Sequence, residues 1–181
     1  MKKIVIAFMM SCLCLINISD ASATSTSSLY SKYVYVYDAT SSQILKDTQS
    51  TVKMYPASMT KMMTVYCALQ KITNLDATVT ITTEDITGWL AKDASVAGFT
   101  AGETVTYRDL LYACLLPSGA DACYCLARVL YGNEANMATA MNRLAKKIGM
   151  THSHFVKTSG LHNANHYTTC RDLVTLMIKA T

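Results

Sequence analysis

PASMTKMMT, at residues 56–64, combines the start of a helix with a serine and a lysine three positions apart. Pro56 suits the first turn of a helix, because a proline has no N–H group to leave without a partner there. Apolar side chains then recur at spacings of three and four, which predicts a buried helix face made by Met62, Val65, Leu69 and Ile72. Ser58 and Lys61 are therefore expected on one face of the first helical turn.

This serine and lysine have the spacing of a nucleophile and its base. A serine hydroxyl is a weak nucleophile until a neighbouring group takes its proton. A lysine can take it if burial or positive neighbours keep the amine neutral, and a helix N-terminus favours the developing oxyanion. The pattern S-x-x-K also occurs at Ser50-Thr51-Val52-Lys53, but that match precedes Pro56 and carries no helical stripe. A bare match is more often a capping serine and a solvated lysine, so the context of Ser58 decides.

Strands are expected before this helix and mainly helices after it. β-Branched and aromatic residues at 33–37 and a returning run at 43–46 predict a hairpin, and 79–82 predicts a short strand. Further helices are expected at 107–116, 120–131, 135–148 and from 169 to the end, with stop signals at Pro117, Gly132 and Gly149. This order predicts an α+β fold.

The composition is that of a globular chain with a mild positive charge. Of the 181 residues, 51% are hydrophobic and 15% are charged, which excludes extensive disorder and allows one domain with a core. The formal net charge of +4 comes without a dense block of lysine and arginine, so nucleic acid is not an expected partner.

The N-terminal residues have the composition of an export signal. Two lysines precede a mostly apolar run at 4–16, and Ala21-Ser22-Ala23 forms a small-x-small cleavage site. We therefore expect a signal peptide at 1–23 and a flexible lead-in at 24–32. An uncleaved anchor is the alternative, although the run is shorter than the roughly 20 apolar residues of a membrane span.

Five cysteines follow residue 23, and an odd number leaves at least one thiol without a partner within a monomer. Four of them lie in apolar helical patterns and are expected to be buried as small hydrophobic side chains: Cys67, Cys114, Cys123 and Cys125. A zinc site is not expected, because Cys123 and Cys125 diverge on a helix.

Four stretches in the same order resemble the D-alanyl-D-alanine carboxypeptidase A family, the low-molecular-mass penicillin-binding proteins. PASMTKMMT is similar to the family's active-site segment, PASMTK followed by a hydrophobic residue and MT. AGETVT at 101–106 with DLL at 109–111, and LLPSGADA at 115–122, resemble the next two segments. Residues 141–172 follow the family's pattern of MN, GM, HF, GL, HYT and D. The resemblance covers about residues 33–178.

The resemblance implies a β-lactamase/transpeptidase-like fold, in which a sheet with helices packed on it adjoins an all-helical lobe. It implies that Ser58 attacks the carbonyl carbon of the penultimate D-alanine, that Lys61 takes the proton, and that Ser118 relays a proton to the leaving amine. The implied partners are peptidoglycan stem peptides ending in D-Ala-D-Ala and β-lactam antibiotics, which acylate the same serine. No cofactor or metal is implied. The implied location is the cell envelope, periplasmic or extracellular, with a membrane surface reached through a C-terminal anchor.

Two departures from the family pattern bear on activity. The family has Ser-x-Asn where this chain has Ser118-Gly119-Ala120, and a methyl group cannot replace the amide that contacts the lysine and the substrate carbonyl. Asp121 or a water molecule compensates, or activity is reduced. Gly119, Ala120 and Asp121 are the candidate substrate-binding residues.

The second departure is that the family's Lys-Thr-Gly motif has no match after residue 172. Lys157-Thr158-Ser159-Gly160 is similar, but it precedes the family's GL segment, so we do not expect it to hold the substrate carboxylate. Residues 33–181 are therefore expected to be the N-terminal part of a catalytic domain, truncated on its C-terminal side. Whether this length is active by itself stays open.

Two other functions stay open as well. A class A β-lactamase shares S-x-x-K, but that class has Ser-Asp-Asn where this chain has Ser118-Gly119-Ala120, and its deacylating glutamate has no match here. A non-catalytic envelope protein, either a binding module or a defective remnant, is favoured by Ala120 and by the missing Lys-Thr-Gly. His152 and His154 have no third metal ligand at a recognisable spacing and are expected to be solvated or capping.

Overall fold

A β-hairpin comes first in the computed structural model, which describes residues 30–181. It consists of β1 (Val34–Asp38) and β2 (Gln43–Thr48), which pair antiparallel as the sequence predicts. The signal peptide and most of the lead-in that we expect at 1–32 lie outside the described residues.

A second pair of strands, each of three residues, leads into the helical part. β3 (Thr78–Thr80) pairs antiparallel with β4 (Thr104–Thr106), and the central valine of each strand is buried. The sequence predicts β3 but not β4, because three residues give too short an alternation to detect. Thr106 also caps the following helix: its side chain accepts a hydrogen bond from the Asp109 N–H, and the Asp109 carboxylate accepts one from the Thr106 N–H.

Helices make up most of the regular secondary structure among the described residues. They are α1 (Thr60–Leu69), α2 (Thr83–Ile86), α3 (Tyr107–Leu115), α4 (Ala120–Tyr131), α5 (Glu134–Ile148) and α6 (Cys170–Ala180). Helix α1 contacts α3, α4, α5 and α6, so it lies at the centre of the helical layer, and α6 also contacts β1. The core between these helices includes Met63, Leu110, Leu126 and Met141, all fully buried. The two separate strand pairs and the layer of helices agree with the predicted α+β class.

The buried face of α1 differs from the predicted one. Leu69 is 45% exposed, and the buried residues of the helix are Thr60, Lys61, Met63, Thr64, Cys67 and Ala68. Hydrophobic periodicity misses this face because half of it is polar. Those polar groups are buried at little cost since each has a hydrogen-bond partner in the segment 158–166.

The segment 149–169 connects α5 to α6 without a regular element, as predicted. Two isolated bridges hold it, one between Met54 and Thr168 and one between His154 and Tyr167. The first bridge brings the segment beside the chain that enters α1. Within residues 30–181, no helix has both the length and the apolar character that crossing a bilayer requires.

Candidate active site

Ser58 lies in a tight turn immediately before α1. Residues Ala57–Met59 form one turn of 3-10 helix that runs directly into Thr60, so the serine sits at the N-terminal end of the longer helix rather than within it. Ala57 has a φ of +47°, a left-handed conformation that costs a non-glycine residue energy. The Ser58 side chain is exposed, so its hydroxyl is open to a substrate.

Gly160 supports this turn from the other side. Its φ is +84°, and a Cβ at this position would lie 1.9 Å from the Ala57 carbonyl oxygen. Any side chain would therefore push the segment 158–162 away from the turn of Ser58. Only glycine permits the two backbones to pack this closely.

Lys61 lies one turn along α1 and points back to the serine. Its Nζ donates to Ser58 Oγ at 3.1 Å and to the Ser159 carbonyl oxygen at 2.7 Å. Burial lowers the pKa of Lys61, because the low-dielectric surroundings disfavour the ammonium; Cys123, Cys114 and Asp121 oppose that shift less strongly. A buried lysine with a lowered pKa is suited to accept a proton from the hydroxyl it contacts.

Ser118 supplies a second hydroxyl at the same place. Its Oγ donates to Ser58 Oγ at 2.9 Å, so Ser58 lies between Lys61 and Ser118. The residue occupies the turn between α3 and α4 with a φ of +61°, which is again a left-handed conformation of a non-glycine residue. This strain is consistent with a backbone that is held in place to direct a side chain.

Asp121 faces away from this hydroxyl cluster. Its side chain is buried, and its oxygens accept hydrogen bonds from the backbone N–H groups of Ala97 and Gly98 at 2.9–3.1 Å. The neighbouring Ala120 N–H donates to the Ser95 carbonyl oxygen at 2.8 Å. The start of α4 therefore holds the loop at 93–99 against the site.

A cavity of about 240 Å³ opens over Ser58 and Lys61. Its other lining residues are Tyr55, Ala57, Asp93, Ala94, Ser95, Ala120, Ser159, Gly160, Leu161 and His162. Of the residues proposed from sequence, Ser58, Lys61 and Ala120 line the cavity and Ser118 bonds to Ser58. Gly119 and Asp121 do not line it.

The family of the chain is shown by its sequence as a whole. The family described as D-alanyl-D-alanine carboxypeptidase matches residues 20–181. The chain belongs to this family. It is 37% identical over 131 residues to the D-alanyl-D-alanine carboxypeptidase of Streptomyces sp. strain K15. The aligned residues make up 68% of this chain and 45% of that protein. It is 35% identical over 141 residues to the carboxypeptidase DacA of Haemophilus influenzae. The aligned residues make up 75% of this chain and 35% of that protein.

Solved structures agree with this family and with the expected fold. The crystal structure of the Streptomyces K15 DD-transpeptidase superposes with a TM-score of 0.78 at 31% identity, covering 85% of this chain and 62% of that one. Penicillin-binding protein 5 from Haemophilus influenzae superposes with a TM-score of 0.68 at 29% identity, covering 76% and 41%. The expected transpeptidase-like fold is thereby confirmed. The chain spans less than half the length of the two curated relatives named above.

The segment that resembles the family's Lys-Thr-Gly motif contributes backbone rather than a cation. Lys157 Nζ donates to Glu134 at 3.1 Å and does not line the cavity, whereas the Ser159 carbonyl binds Lys61. Sequence reasoning missed Ser159 and Gly160 as site residues. The signal that was available is the glycine, since a glycine in an irregular segment often marks a close backbone approach.

His166 holds that segment to the first residue of α1. Its Nδ1 accepts from the N–H groups of Val156 and Lys157, at 3.0 and 3.2 Å, so its Nε2 carries the proton and donates to Thr60 Oγ1 at 2.7 Å. Burial lowers the pKa of His166 to about 4, which keeps the ring neutral near pH 7. The sequence offers His166 only as part of the HYT match, with no sign of this role.

His152 and His154, which the sequence offered as a metal pair, bind other groups. The N–H of His152 donates to Asp172 at 2.9 Å, and His154 Nδ1 contacts the Asn165 carbonyl oxygen. Across residues 30–181, no three side chains of His, Cys, Asp or Glu come together in a way that could hold a metal ion.

Proposed function

We propose that the whole protein is a serine D-Ala-D-Ala carboxypeptidase that removes the terminal D-alanine from peptidoglycan stem peptides. The observation that carries this proposal is the position of Ser58 Oγ, 3.1 Å from Lys61 Nζ and 2.9 Å from Ser118 Oγ, at the wall of an open cavity. A nucleophile within hydrogen-bond reach of both a base and a proton relay is the arrangement that acyl transfer requires.

The reaction follows from these contacts. Neutral Lys61 takes the Ser58 proton, and Ser58 Oγ bonds to the carbonyl carbon of the penultimate D-alanine. The peptide C–N bond then breaks. Ser118 delivers its proton to the leaving amine of the terminal D-alanine and regains one from the Lys61 ammonium, which leaves Lys61 neutral again. Water hydrolyses the ester on Ser58 in a second step, again with Lys61 as base. The hydrogen bond from Lys61 to the Ser159 carbonyl keeps the amine aimed at Ser58 throughout.

The proposed reaction also indicates the partners of the protein and its location. β-Lactam antibiotics carry an acyl carbon that Ser58 would attack, so they are proposed as covalent ligands. Since peptidoglycan lies outside the cytoplasm, the protein would work in the cell envelope after export. Gly119 and Asp121 would contribute to substrate binding by holding the turn of Ser118 and the loop at 93–99, because Asp121 binds Ala97 and Gly98.

A second candidate, a non-catalytic envelope protein, is favoured by one observation. Ala120 lines the cavity where the family carries an asparagine, and its methyl group donates no hydrogen bond. Exposure of the exported full-length protein to a fluorescent penicillin separates the functions. We expect a stable covalent label. Rapid release of the label would indicate a β-lactamase, and absence of label would favour the non-catalytic alternative.

Release of D-alanine from a diacetyl-Lys-D-Ala-D-Ala peptide tests the proposal further. We expect one D-alanine per cleaved peptide and inhibition by prior penicillin treatment. Label without D-alanine release would contradict the carboxypeptidase and leave a penicillin-binding module.

Restoring the family's amide at position 120 should accelerate acylation. One hydrogen-bond donor to the reacting carbonyl is worth about 2.7–4 kcal/mol, and a retrofitted group gives less, so we expect Ala120→Asn to raise the penicillin acylation rate roughly 10-fold. The measurement is the second-order rate constant of labelling. Ala94→Asn, which adds the same group elsewhere on the cavity wall, is the control. An unchanged rate in Ala120→Asn would show that another donor already does this work.

A further inference from the structure

Two cysteines face each other across the turn that carries Ser118. Cys114 lies at the end of α3 and Cys123 in the first turn of α4, and their Sγ atoms are 3.3 Å apart. A disulfide bond is about 2.05 Å long, so small side-chain rotations bring these sulfurs into bonding range. We propose that Cys114 and Cys123 form a disulfide bond in the exported protein. The proposal rests on the export proposed above but not on catalysis.

The other cysteines of the described residues have different neighbours. Cys67 lies against Tyr131, Cys125 against Arg128 and Cys170 against Met54. The pairing of Cys114 with Cys123 is therefore unique among the five thiols that the structure describes. The pairing also agrees with the odd number of cysteines after residue 23, because three of the five described thiols then remain reduced.

Exchange with a disulfide carrier of an oxidising compartment accounts for the bond. The thiolate of one cysteine attacks the carrier's S–S bond and releases the first carrier thiolate. The other cysteine's thiolate then attacks the protein sulfur of the mixed disulfide and releases the second carrier thiolate. The two cysteines lose two protons and two electrons, and the carrier disulfide is reduced to a dithiol.

Burial determines when this exchange occurs. Cys114 and Cys123 are both 0% exposed, and burial raises the pKa of the Cys114 thiol well above its usual range. The folded protein therefore offers few thiolates and no access to a carrier. The bond must form before α3 and α4 close over it, and afterwards the same burial protects it from reductants.

The bond would secure the turn that positions Ser118. That turn holds Ser118 at a φ of +61° and ties the Gly119 N–H to the Ala113 carbonyl oxygen at 2.9 Å. A covalent link between the helices on either side limits how far this strained turn can relax. It also restricts the unfolded chain, which is the main way in which a disulfide stabilises a protein.

Differential thiol labelling of the exported protein tests the proposal directly. Free thiols are alkylated in denaturant without reduction, the protein is then reduced, and a second, heavier reagent is added. Peptide fragmentation by mass spectrometry should place the second label on Cys114 and Cys123 and the first label on Cys67, Cys125 and Cys170. The first label on Cys114 and Cys123 would overturn the proposal whether or not the protein hydrolyses peptides.

Thermal melting after refolding with and without reductant gives a second test. We expect the reductant to lower the Tm of the wild type by roughly 5–20 °C. Cys114→Ala should abolish this dependence on reductant. Cys125→Ala, equally buried but outside the pair, should retain it even if its new cavity lowers both melting temperatures. Dependence retained in Cys114→Ala would contradict the bond.

Discussion

Ser58→Ala abolishes covalent labelling by a fluorescent penicillin, which is the largest effect we expect from a single substitution. The hydroxyl of Ser58 is the one that both Lys61 and Ser118 contact, at 3.1 and 2.9 Å, and alanine offers no atom to acylate. Labelling should fall to the background of heat-denatured protein. The measurement is in-gel fluorescence with the folded state checked by circular dichroism.

Ser50→Ala is the matched control, because Ser50 opens the other S-x-x-K match in the chain. Ser50 is buried, and the ammonium of Lys53 lies over the Tyr167 ring at 4.0 Å from its centroid instead of near a serine. The amount of penicillin label on the Ser50→Ala protein should equal that on the wild type. A folded Ser58→Ala protein that still takes the label would refute the mechanism.

Lys61→Arg should lower the acylation rate by at least about 10²-fold, the lower end of general-base contributions. Arginine keeps the charge but cannot give up a proton near neutral pH, so it cannot receive the Ser58 proton. The measurement is the penicillin acylation rate, with Lys53→Arg as the control that changes the other match. An acylation rate near that of the wild type in Lys61→Arg would reduce Lys61 to a structural role.

The pH dependence of the acylation rate is a second test of Lys61 as the base. Burial lowers the pKa of Lys61, so its neutral form appears at a lower pH than that of an exposed lysine. The wild-type rate should therefore rise with pH through this lowered pKa and level off above it. Lys61→Arg should lack that rise, and a rise of the same size in the variant would assign it to a different group.

The local half of the site could be predicted from the sequence. The i, i+3 spacing of Ser58 and Lys61 and the proline before them are enough to place both at a helix start, where the structure has them. Strand β4 and the 3-10 geometry of the turn at Ser58 could not be predicted, because each depends on only three residues.

The distant half of the site could not be predicted. Thr60, Lys61 and Thr64 are buried on α1 because His166, Ser159 and Thr158 bind them. No periodicity links residues so far apart, and a polar side chain at a helical position normally predicts an exposed face. The contacts of Asp121 could not be predicted either. Its place beside Ser118 in the sequence makes it a candidate for substrate binding, and its carboxylate accepts from the Ala97 and Gly98 N–H groups in the loop at 93–99.

The long separation between these partners also determines when the serine becomes reactive. Lys61 binds Ser159, 98 residues further along the chain, and Thr60 binds His166, 106 residues further along. Closing such long loops is slow and costs chain entropy, so we expect these contacts to form late in folding. A chain that has not yet made these contacts carries Ser58 beside a solvated, charged lysine. On the mechanism proposed above, such a chain would not react with a penicillin, because a charged lysine cannot take the Ser58 proton, so acylation would require the completed fold.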